Sequence, residues 1–123
     1  MSLKDQPRFR TVRSPESYER TTSGAVRYVP VLMGEAVVGY LWAAVAGDAA
    51  GFVRRESGGD VAANAAVAWV RRLRWAKAGG LTPVRALRHW AGQDEDERAG
   101  RVPADAESEL PALRELQDLA AAE

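Results

Sequence analysis

Cysteine is absent from the 123 residues, which excludes disulfides, thiolate nucleophiles and thiolate metal sites. Histidine occurs once, at His89, with arginines nearby where a metal site or a catalytic triad would need a carboxylate or a second imidazole. No serine stands in a Gly-x-Ser-x-Gly elbow, and no glycine cluster leads into the lysine of a phosphate loop. Lysine is scarce against arginine and alanine, a bias expected of a GC-rich genome. Long apolar runs are missing too. The longest uncharged stretch between Val29 and Val53, Ala36 to Gly47, has 12 residues, whereas a bilayer span takes roughly 20. The first 24 residues are polar and carry no apolar leader core, so a cytoplasmic protein without membrane contact is expected. No catalytic constellation and no cofactor site can be assembled from what remains, and a non-enzymatic role is expected.

Acid is also missing where base is concentrated. From Val61 to Gln93 there is no aspartate or glutamate, and then Asp-Glu-Asp-Glu follows at 94–97. Residues 1–93 carry 14 cations and 7 anions, while residues 94–123 carry 3 and 10, so a net charge of zero conceals halves of +7 and −7. Such a division points either to a polyanionic partner or to an acidic end that folds onto a basic body.

The hydrophobic pattern divides the chain into a basic arm (1–24), a core domain (25–92) and an acidic linker with a C-terminal helix (93–123). Valine-rich runs at 25–33, 36–46 and 51–56, separated by Gly34–Glu35 and by a Gly-Asp-Ala-Ala loop, predict three strands in an antiparallel meander. The turns place Met33 opposite Ala36 and Ala46 opposite Gly51, with Pro30 requiring a free edge. The middle run is apolar on both faces, so one face needs helices and the other needs the tail, the arm or a second subunit. From Val61, with Asp60 as its cap, the period becomes helical. Ala62, Ala66, Trp69, Leu73 and Ala76 fall within an arc of about 80°. Gly79–Gly80 should end this helix, and Thr82–Pro83 should start a short second one. A last helix, beginning near Ser108, presents Ala112, Leu113, Leu116, Leu119 and Ala120 on one side. The predicted fold class is α+β: a three-stranded meander, a helical hairpin packed against it, and a C-terminal amphipathic helix.

Two clusters are candidate interaction sites. In the hairpin, Arg71, Arg72, Arg74, Arg85 and Arg88 can meet phosphates while Trp75, projecting away from the apolar arc, can stack on a base. The second helix offers no asparagine, glutamine or serine to read base edges, so a helix–turn–helix reader is disfavoured. On the sheet, the turn-derived register puts Trp42 between Arg27 and Arg55, a trio suited to an anion or a planar ligand. The leading expectation is a homodimeric protein-interaction or regulatory module whose acidic tail docks on its basic and apolar body. The alternative is nucleic-acid or polyanion binding through the hairpin, with the tail as internal competitor.

Overall fold

The computed structural model describes residues 17–122; the first sixteen residues of the basic arm lie outside it. The class is α+β. Val26–Met33 (β1), Ala36–Ala44 (β2) and Ala50–Arg54 (β3) form the antiparallel meander. A fourth strand, Ser108–Leu110 (β4), adds antiparallel to β1 and gives the order β3-β2-β1-β4. The helices are Gly59–Ala78 (α1), Pro83–His89 (α2) and Leu113–Ala122 (α3).

The first turn follows from Gly34. Its φ of 63° supplies the positive first position of a two-residue type II′ turn, and Met33 faces Ala36. Further along, the register departs from the simple hairpin. Val31 faces Gly39 while Leu32 faces Val37, so Val38 is an extra residue, a β-bulge. The bulge flips the parity of β2. Val37, Tyr40 and Trp42 share one face, and Val38 and Leu41 point to the other. Gly39 is required beside it: a Cβ there would lie 2.3 Å from Cζ of Phe52 and 2.6 Å from the Val53 carbonyl oxygen. Pro30 sits where no donor is needed. Leu32 bonds with Arg101 and β4 pairs only with Val26–Tyr28, so Pro30 falls in the gap between them.

Both faces of β2 are covered within the chain. On one, Ala62, Ala65, Trp69, Leu73 and Ala76 of α1 and Ala86 and Leu87 of α2 pack against Val29, Val31 and Leu41. On the other, Leu113, Leu116 and Ala120 of α3 pack against Val26, Tyr40, Trp42 and Ala44. The sheet is thus the middle layer of three. The α1 register differs slightly from the wheel. Gly58 caps the helix, Asp60 lies in its first turn, and Ala65 takes the buried place expected of Ala66. At the other end Gly80, at φ 83°, lets Leu81 N–H reach the Ala76 carbonyl and Gly80 N–H the Lys77 carbonyl, a Schellman end. Thr82 accepts from the Arg85 amide and Pro83 opens α2, as the local signals require.

The acidic stretch is a strap. It buries Ala99 and Val102 completely, pairs Arg101 with Leu32 through both backbone groups, and then lays β4 along β1. The last helix begins only at Leu113, because Ser108–Leu110 is drawn into the sheet. At the other end of the chain, Tyr18 is buried against the first core and its hydroxyl donates to the Leu81 carbonyl at 2.6 Å. Burial, and secondarily the charge of Asp48, pushes that phenol above its ordinary pKa.

Candidate interaction surfaces

The trio Arg27, Trp42 and Arg55 does not assemble. The bulge at Val38 shifts the first hairpin by one residue, and the second turns at 45–49, so Trp42 faces Tyr28 and Gly51. Trp42 is 3% exposed beneath α3. Arg27 turns to Glu107 and to Glu109, its cross-strand neighbour on β4, at 2.7 Å for the latter. Arg55 donates from Nη1 to the Val37 carbonyl.

The hairpin cluster divides in two. Trp69 is fully buried, donates from Nε1 to the Ala99 carbonyl at 2.9 Å, and meets Trp90 edge-to-face at 5.2 Å. Arg72 lies over both rings, 4.9 Å from the centroid of Trp69 and 5.6 Å from that of Trp90. Its guanidinium also reaches Asp96 of the strap at 3.7 Å. Asp96 is itself held by the amides of Ala99 and Arg98. Those donors, with Ala99 first, pull its carboxyl below the ordinary carboxylate range. Arg88 forks onto both oxygens of Glu107, each at 2.9 Å, and Lys77 pairs with Asp48. Arg72, Arg88 and Lys77 are therefore answered by the chain's own acids. Glu107 joins β1 to α2 through Arg27 and Arg88, and these partners, Arg88 foremost, lower its pKa to about 2.

Arg71, Arg74 and Arg85 make no ion pair among the described residues. Arg71 and Arg74 stand on the outward face of α1 with Val67, Val70 and Trp75, which are 57%, 46% and 59% exposed. Trp75 rests against His89, 5.2 Å between centroids, and leaves most of its ring to solvent. Trp75 already stands out in the sequence, whereas Val67 and Val70 are unremarkable until the buried arc of α1 is known.

The acids of α3 do not take part in neutralising the hairpin. That helix lies across the sheet from α1 and α2, and Asp118 pairs locally with Arg114. Asp96 and Glu107 of the strap and Asp48 of the β2–β3 turn supply the counter-charges. Among the described residues no group of three or more histidine, aspartate or glutamate side chains could hold a metal ion, and no helix is long and apolar enough to cross a membrane. No protein-family model, curated protein or solved structure matches the chain. Two surfaces remain for a partner to meet among those described, the cationic and apolar outward face of α1 and the β3 edge of the sheet.

Proposed function

We propose that this chain is a small non-enzymatic interaction module, and that the outward face of α1 is its contact surface. One observation carries this reading. The fold buries every apolar face it needs for its own stability, yet leaves Val67, Val70 and Trp75 in water beside the unanswered Arg71 and Arg74. Aromatic and arginine side chains ringed by smaller apolar ones are the composition of binding hot spots. Self-association was expected from the two apolar faces of β2, and both are covered internally. A second copy on α1 would set arginine against arginine, so an acidic protein surface fits this face better.

The test uses the full chain with a photo-crosslinking residue at Val67 and, as control, at Asp118 on α3, expressed in cells of its source organism. A discrete adduct from position 67, lost in the Arg71→Glu/Arg74→Glu variant, is the expected result. The reading fails if position 67 gives no adduct, or one indifferent to that charge reversal. An adduct with a second copy of the chain would make the module homodimeric.

A second reading, binding of single-stranded nucleic acid, draws on Trp75 as an exposed stacking plate near free arginines. Three phosphate contacts from Arg71, Arg74 and Arg85 would give a log–log salt slope of about −2. Undetectable binding of a labelled single-stranded oligonucleotide at low salt removes this reading.

A further inference from the structure

β3 is an edge strand, and a groove of about 280 Å³ runs along it. Its floor is Ala50–Val53, one rim is Val70 and Arg74 of α1, and the other is Leu113 and Gln117 of α3. The register decides what the floor offers. Ala44 N–H donates to the Ala49 carbonyl and Arg55 N–H to the Val38 carbonyl. In an antiparallel ladder the groups alternate, so residues 49, 51, 53 and 55 face β2, and Ala50, Phe52 and Arg54 face the groove. Ala50 N–H is taken by the Glu19 carbonyl, where the segment Ser17–Arg20 closes one end. The backbone groups of Phe52 and Arg54 remain turned outward, with no strand beside them among the described residues. Here apolar walls flank free ladder positions, which is the arrangement that receives an added strand.

Charge selects the occupant. Arg20 and Arg74 line the groove, Arg54 stands exposed at the end of β3, and no aspartate or glutamate lines it among the described residues. None of the three arginines makes an ion pair among the described residues. The chain's own residues 1–16 lead into Ser17 beside the groove, but they carry four cations and two acids. The β3 edge of a second copy would add its own Arg54 to a groove already lined by Arg20 and Arg74. Both are of the wrong sign. We propose that the β3 edge takes an extended acidic segment of a partner protein as a fifth strand, its acids toward Arg74 and its alternate apolar side chains toward Leu113. The proposal rests on the reading of the chain as an interaction module and supplies that module with a second seat, which shares Val70 and Arg74 with the outward face of α1.

The test is a titration of the isotope-labelled full chain with a blocked heptapeptide alternating glutamate and valine, and with its lysine–valine counterpart. The glutamate peptide should slow amide exchange at Phe52 and Arg54 about tenfold or more, and Arg74→Glu should weaken binding by about tenfold. Arg20→Glu, a second charge reversal on the segment that closes the groove and off the outward face of α1, should weaken binding likewise. Any of four results overturns the proposal: no binding by about 1 mM, equal binding of the lysine peptide, unchanged exchange at Phe52 and Arg54, or displacement of the glutamate peptide by a peptide of residues 1–16. Protection of Phe52 and Arg54 that grows with protein concentration alone would hand the edge to a second copy and likewise overturn it. Peptide-induced shifts confined to Val67, Arg71 and Trp75 would remove the strand site while leaving the module reading intact.

Discussion

Replacing Glu107 with glutamine should destabilise the fold in a manner that depends on pH. The carboxylate stands between Arg27 and Arg88 and has its pKa lowered from the ordinary 4.5 to about 2. A shift of that size corresponds to at most about 3.4 kcal/mol of folding free energy. The Glu107 side chain is only 18% exposed, but that of Arg88 is 59% exposed, so solvent screening reduces the figure to about 1.5 kcal/mol. The sign follows from which state binds the proton more tightly. The unfolded chain does, so the stabilisation is complete above about pH 4.5 and is lost as pH falls toward 2. For a domain of this size the wild-type chain should melt about 6 °C above E107Q at pH 7. The gap should shrink to about a quarter of that near pH 2.5 and close below about pH 2, where Glu107 is protonated and nearly isosteric with glutamine. Calorimetry or urea unfolding at both pH values measures it. A gap that is the same at pH 7 and pH 2.5, or absent at pH 7, refutes the placement of Glu107 as the tie between β1 and α2.

Other expectations follow from packing. Leu116 is fully buried between α3 and the sheet, so Leu116→Ala should cost about 2–4 kcal/mol in urea unfolding. Gly39→Ala forces a Cβ against the Phe52 ring and the Val53 carbonyl and should cost about 2 kcal/mol or more. Gly24→Ala, which meets nothing within 4 Å, should change stability by less than about 0.5 kcal/mol. Trp69→Ala should cost about 3–5 kcal/mol, whereas Trp75→Ala should cost less than about 1 kcal/mol, because one ring is buried and the other mostly in solvent. Comparable losses from the two tryptophans would mean that Trp75 belongs to the core and not to a contact surface.

The parts of the fold that local chemistry specifies could be read from the residues. Gly34 needs its positive φ, Thr82 and Pro83 announce a helix start, and a β2 greasy on both sides demands two covers. What escaped depends on partners distant in sequence. Val37-Val38-Gly39 reads as an unbroken strand. The bulge is set by the fit of Phe52 over Gly39 and by the pairing to β1, and neither is local. Ser108–Leu110 reads as the start of the last helix, yet it forms a strand in which Glu109 finds Arg27 opposite it on β1. The division of charge was visible at once. Which acid answers which base was not, because Asp96 and Glu107 reach Arg72 and Arg88 only after the strap has folded back. The exposure of Trp75 could be drawn on a helical wheel. The groove at β3 could not, since its walls come from α1, α3 and the segment at Ser17.

The three-layer order has a cost for incomplete chains. Val26, Tyr40 and Trp42 take much of their shelter from Leu113, Leu116 and Ala120, seventy positions or more downstream. A premature stop or a proteolytic nick within 93–107 would strip an entire side of the ribbon and expose a sticky plate of valine, tyrosine and tryptophan. Damaged copies should therefore be conspicuous to chaperones and proteases, and abundance in the cell should fall sharply with truncation instead of grading with its length.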